Sequence, residues 1–166
     1  MEALLADLRI LLARQLENLR TLEGVMRRQR EALVKRDLSI IRETVSEQEE
    51  CLARVQAMEA DRAGLLVRIS NMLGLGPEGI TLRELTENLD PVVGAELRST
   101  GETIREALGN IGRVNQSNYN LIEHSLELVH EMLGAIATGE TGKRTYGATG
   151  GLRPRSQEYT LVDRTT

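Results

Sequence analysis

An all-α fold, an elongated antiparallel helical bundle or coiled coil of three long helices plus one short helix with a disordered C-terminal tail, follows from three features of this 166-residue chain. Phe and Trp are absent and only three Tyr occur, so any core must be assembled from Leu, Ile, Val, Met and Ala. The alternating apolar and polar runs that half-buried strands need do not extend beyond a few residues. Third, Leu97, Ile104, Leu108, Ile111, Asn115, Asn118, Ile122, Ser125, Val129, Met132 and Ile136 recur at steps of three and four, with a single step of seven across Gly101. That spacing gathers them on one stripe of a long helix. A stripe sustained over about five heptads calls for a partner helix, because apolar area left wet forfeits about 25 cal/mol per Å². Asn115 and Asn118 fall at successive positions inside it, where an amide lowers stability but restricts register and partner choice.

The first helix is expected from about Ala3 to Val34, with Leu5, Leu8, Leu12, Leu19, Leu22, Met26 and Leu33 on one stripe and Leu16 beside it. The chain turns around Lys35, Arg36 and Asp37. Asp37 is placed to accept hydrogen bonds from the free amides of a second helix beginning at Leu38. That helix carries Leu38, Ile41, Val45, Leu52, Val55, Met58, Leu65, Ile69 and Met72 and stops at Gly74, after which Gly76, Pro77 and Gly79 make a loop. Thr81 and Glu84 have the spacing of a capping box, so Leu82 to Leu89 can form two turns. Asp90 followed by Pro91 is the strongest start signal in the chain: a cap acceptor, then a proline where a missing amide does no harm. The third long helix runs from Pro91 to about Thr138, roughly 70 Å at about 1.5 Å per residue. Gly94, Gly101, Gly109 and Gly112 each cost about 1 kcal/mol relative to alanine there, which implies close helix approach, a bend, or a segment stable only when packed, with the N-terminal half the more flexible.

Residues 1–138 therefore form the bundle and residues 139–166 a flexible tail. After Gly139 only Leu152, Leu161 and Val162 are sizeable aliphatics, too few to offset chain entropy. In the tail Lys143, Arg144, Arg153, Arg155 and Arg164 outnumber Glu140, Glu158 and Asp163.

The net charge of −4 and pI near 5.4 disfavour nucleic acid, whose phosphates require a clustered positive face. The local exception, Arg27, Arg28, Arg30, Lys35 and Arg36, reads as solvated cations favourably placed against a helix C-terminus. No apolar run approaches about 18 residues and Met1, Glu2 and Asp7 open an amphipathic segment, so a soluble, cytoplasmic protein without membrane insertion is expected. Cys51 stands alone, which rules out an internal disulfide and suits a small packed hydrophobe.

Three patterns imitate chemistry. Gly74, Gly76 and Gly79 spell GxGxxG, but a helix precedes them where a dinucleotide site needs a strand. Ala137 to Lys143 imitates a phosphate loop, yet Arg144 stands where a magnesium-binding hydroxyl belongs and no strand leads in. Glu127 and His130 have the ExxH spacing of di-iron bundles, but the other histidine, His124, follows Leu121 instead of a second glutamate. No catalytic set, metal site or cofactor is assigned, and the chain is not read as an enzyme.

The segment NQSNYNLIEHSLEL, Asn115 to Leu128, followed by Tyr146-Gly147 and Gly150 in a low-complexity tail, resembles the FlgN family of flagellar export chaperones. The resemblance spans essentially the whole chain, including the long first helix and the Asp37-Leu38 junction. It implies a cytoplasmic chaperone for type III export that binds the hook-associated proteins FlgK and FlgL, which form the hook-filament junction, and delivers them unassembled. It further implies that Asn115, Asn118, Leu121, Ile122, Ser125 and Leu126 belong to the cargo-side or core helix, and that Tyr146 lies in a segment able to engage the export gate protein FlhA.

Physically this is coherent. A long helix with one apolar face on its own bundle and another open to cargo can stand in for the partner that the cargo's terminal helices would otherwise find in each other. Val114, Leu121 and Leu128 give that second edge, and unmatched amides at Asn115 and Asn118 would penalise a wrong register by about 1 to 3 kcal/mol. The alternative is a coiled-coil scaffold or oligomerising adaptor without export cargo, in which the asparagines set the register of self-association. Either a monomer or a homodimer is compatible with the sequence.

Overall fold

A computed structural model describes residues 1–76 and 80–137. It contains α1 (Glu2–Lys35), α2 (Leu38–Leu73), the short α3 (Leu82–Glu87) and α4 (Pro91–Ala137), and the described residues include no strand. Met1–Ser125 forms one compact unit, and the rest of described α4, from Leu126, falls in a second. Pro77 to Gly79, the expected helix end at Thr138 and the tail lie outside the described residues.

The junctions follow their local chemistry. Arg36 closes α1 in a left-handed conformation (φ 57°, ψ 34°), and the Asp37 amide reaches back to the Ala32 carbonyl at 2.9 Å, a Schellman-type closure. Glycine usually fills that position; an L-residue gives up about 1 to 2 kcal/mol there. Asp37 then caps α2, its Oδ1 accepting from the amides of Ser39 at 3.1 Å and Ile40 at 3.2 Å. Gly74 ends α2 at φ 71°, as the first glycine of the GxGxxG pattern, so its role is termination. Thr81 and Glu84 complete the capping box of α3. Asp90 Oδ1 accepts from the Val92 amide at 3.0 Å, one residue past Pro91 at the start of α4.

Between α1 and α2, Gln15 bonds Glu59, Asn18 bonds the Cys51 carbonyl and Arg28 pairs with Glu47, so the two helices run in opposite directions. Between α1 and α4, Arg9 pairs with Glu96 and Gln29 with Asn118, so these two run in the same direction. One apolar cluster joins Leu4, Leu5, Leu8 and Leu12 of α1 to Leu66 and Ile69 of α2, Leu85 of α3 and Leu97 of α4. A smaller one joins Leu22 and Met26 to Cys51 and Val114.

Two faces depart from the sequence reading at alternate positions, a rotation of about half a residue or roughly 50° of helix, while Ile69 of α2 and Leu97, Ile104, Ile111 and Asn118 of α4 face inward as expected. On α2 the inner face holds Thr44, Cys51, Leu66, Ile69 and Ser70, whereas Leu38, Val45, Leu52 and Met72 are exposed. On α4 the inner face is Val93, Leu97, Thr100, Ile104, Ala107, Ile111, Val114, Asn118 and Leu121, an unbroken alternation of four and three. Leu108 and Asn115, placed in the stripe by size and spacing, are exposed. Small residues at Thr100 and Ala107 let helices approach where larger ones could not. Gly94 has the same logic: a Cβ there would lie 2.6 Å from the Thr86 carbonyl oxygen. At Gly101 it would meet Leu82 Cδ2 at 3.0 Å, but at Gly109 and Gly112 nothing lies within 4 Å, so only the first two glycines serve close approach.

Candidate protein-interaction surface

The asparagines of α4 divide. Asn118 is 2% exposed, and its Nδ2 donates to the Met26 carbonyl at 2.9 Å and to Gln29 Oε1 at 3.0 Å. Its amide is therefore engaged inside the bundle, where it ties α4 to α1. Its Oδ1 is buried without a partner, as is Nε2 of Gln48 on α2. Asn115 is on the outside. Leu121 is half-buried, and Ser125, exposed, donates its hydroxyl to the Leu121 carbonyl at 2.7 Å, an intrahelical bond.

From Ile122 to Ile136 every residue of α4 is exposed. Ile122 belongs to the first unit; in the second, Leu126, Leu128, Val129, Met132, Leu133 and Ile136 are large apolar residues open to solvent, Leu133 at 57% and Ile136 at 69%. Leu126, Val129, Leu133 and Ile136 alternate by three and four, so they form a seam of their own, with Leu128 and Met132 beside it. Scattered surface aliphatics need no explanation, but a contiguous helical seam of them marks a binding face. Leu133 escaped the sequence reading because Met132 fits the heptad carried forward from Leu97. Two seams one residue apart are hard to separate by counting, although the run Leu126 to Ile136 signals both.

Elsewhere in the first unit a groove of about 730 Å³ lies among α1 to α4, floored by Leu12, Leu19, Val55, Leu82 and Ile104. Its rim is partly neutralised by Glu59 with Arg62 and by Arg83 with Glu87. The Arg62 hydrogen bond holds the Glu59 carboxyl below its ordinary pKa. The groove lining includes no histidine or cysteine. Cys51 is buried, with the Arg54 guanidinium donating to its Sγ at 3.0 Å and the Asn18 amide to its carbonyl. Among the described residues no group of three His, Cys, Asp or Glu side chains is gathered as for a metal, and no helix is long and apolar enough to cross a membrane. Tyr146 lies outside the described residues.

No match was found among curated proteins or solved structures. A family model described as FlgN protein matches residues 1–154. With that match over nearly the whole chain, and an all-helical fold whose last helix offers a free apolar seam, the chain belongs to the FlgN family of flagellar export chaperones.

Proposed function

We propose that this protein is a cytoplasmic chaperone for the hook-associated proteins FlgK and FlgL, holding them unassembled and delivering them to the flagellar type III export apparatus through FlhA. The observation that carries this reading is the exposed seam Leu126, Val129, Leu133 and Ile136. A helix cannot leave such a seam wet without cost, and a cargo helix laid along it completes the pairing. Moving each half-exposed aliphatic into an interface contributes about 1 to 2 kcal/mol, or about tenfold in affinity.

Of the residues brought forward by resemblance, Leu126 belongs to this contact surface, while Asn115, Ile122 and Ser125 are exposed on the part of α4 that belongs to the first unit. Leu121 and Asn118 act one step back, by fixing α4 on the bundle. Tyr146 serves docking to the gate, so Tyr146→Ala should preserve cargo binding and impair delivery. Equal loss of cargo affinity would count against a separate docking role.

Co-purification of the full chain with FlgK and with FlgL tests the reading. A stoichiometric soluble complex supports it. A chain that ignores both proteins and instead self-associates through the seam, seen as a mass well above a dimer by light scattering, would favour the scaffold alternative.

A further inference from the structure

A helix with one face packed on a bundle turns its charged residues to water on the other. The 36-residue α2 departs from that rule. On its outer side Leu38, Val45 and Leu52 recur at intervals of seven and are 66%, 42% and 50% exposed, while Thr44 and Cys51 beside them face inward. At about 100° per residue they share an arc of about 120° with Arg42, Glu49 and the small side chains of Ser46 and Ala53. Of the ten charged residues of α2, only Arg42 and Glu49 lie on that arc. Both are exposed, and among the described residues neither makes an ion pair, whereas Glu43 and Glu47 pair with Arg28 and Glu50 with Arg54. Seven residues separate them, about 10 Å along the axis, too far for one to neutralise the other.

That pattern is self-complementary. Two copies of α2 laid antiparallel about a two-fold axis between Val45 and Ser46 bring Arg42 of each level with Glu49 of the other. The same operation sets Leu38 level with Ala53 and Val45 level with Ser46, large against small, so the helices can approach closely. A parallel pair would oppose arginine to arginine and glutamate to glutamate, so charge selects the antiparallel arrangement.

We propose that this face of α2 is the contact of a two-fold dimer, with a second copy of this chain as its occupant. A foreign helix would need an arginine followed seven residues later by a glutamate, set beside exposed aliphatics, and α2 itself is such a helix. The contact lies within the first unit and is independent of the reading given to the α4 seam. Three exposed aliphatics per copy make a small interface, so the dimer forms reversibly and follows concentration.

Sedimentation velocity of the full chain, over about a hundredfold range of concentration, should show an 18.4 kDa monomer giving way to a species of twice that mass. Arg42→Glu and Glu49→Arg each place like charges at both contacts and should weaken dimerisation about tenfold or more. Because neither residue is paired within the chain, the thermal midpoint of each variant should stay with that of the parent. Mixed in equal amounts, the two variants should recover the dimer, since each then meets the opposite sign at both contacts. Leu133→Glu, on the α4 seam, should dimerise as the parent does. Single variants that fail to recover a dimer on mixing would overturn the proposal, and so would loss of the dimer in Leu133→Glu, which would move the contact to α4. A parent that stays monomeric throughout would overturn it as well, and if Leu52→Glu then lowered affinity for FlgK or FlgL, the face would belong to cargo.

Discussion

Replacing Asn118 separates its part in the bundle from any part in cargo recognition. In Asn118→Ala the two hydrogen bonds to the Met26 carbonyl and Gln29 Oε1 are lost, each contributing about 1 kcal/mol. Gln29 is itself buried, so its oxygen is left without its Asn118 donor in a site that water reaches poorly, a further cost of about 1 kcal/mol. The sum is a destabilisation of about 2 to 3 kcal/mol. Asn118→Leu loses the same bonds, but the similar-sized side chain fills the space, gains about 1.5 kcal/mol of burial and removes the unpaired Oδ1. It should fall within about 1 kcal/mol of the parent chain. Urea unfolding followed by circular dichroism, with the slope checked for constancy, reads both. If the alanine variant is as stable as the parent, or the leucine variant as damaged as the alanine one, the hydrogen-bonded layer does not hold α4 on the bundle.

Glycine substitutions should split by position: Gly109→Ala and Gly112→Ala each stabilise by about 0.8 kcal/mol, whereas Gly94→Ala, whose Cβ meets the Thr86 carbonyl, lowers the urea midpoint. On the free seam, Leu126→Glu and Leu133→Glu should leave the unfolding midpoint of the isolated chain within about 0.5 kcal/mol of the parent, yet reduce affinity for FlgK or FlgL about tenfold in calorimetric titration. Acid should weaken the fold in a defined window. The carboxyls of Glu84, bonded by the Thr81 amide and hydroxyl, and of Glu59, bonded by Arg62, have pKa values lowered from 4.5. Their contribution is therefore present above about pH 4.5 and lost as the pH falls through the depressed values, so Glu84→Gln should flatten that part of the stability profile. Removing residue 139 onward should leave the far-ultraviolet helix signal nearly intact, because that segment's few sizeable aliphatics, Leu152, Leu161 and Val162, bury too little area to offset chain entropy.

Helix boundaries were legible because capping chemistry is local. Asp37, Gly74, the Thr81–Glu84 box and Asp90-Pro91 each act on amides or dihedrals within a few residues, and all four mark junctions in the structure. Inner faces were less legible because they depend on how closely helices approach. Size favoured Val45 and Leu52 on α2, yet Thr44 and Cys51 are the buried pair. A hydroxyl can return its hydrogen bonds to its own helix, as Thr44 does to the Ile40 and Ile41 carbonyls, and so enters a tight seam without an unmet polar group. The amide layers of Gln15, Asn18 and Gln29 on α1 were hidden for a related reason: their partners are backbone groups or side chains on other helices, far away in sequence. In the candidate surface, Asn115 and Asn118 look alike by spacing, and only the rotation of α4 decides that one is engaged inside and the other outside.

The most direct test of the central claim is amide hydrogen exchange on the full chain, alone and saturated with FlgK or FlgL. In the free chain the amides from Leu126 to Ile136 should exchange faster than those of the buried α4 face around Leu97 to Val114, since their side chains are exposed. Cargo should slow exchange there most. Protection that appears only before Ser125, or no change at Leu126 to Ile136 in a complex of proven stoichiometry, would contradict the assignment of that seam to cargo.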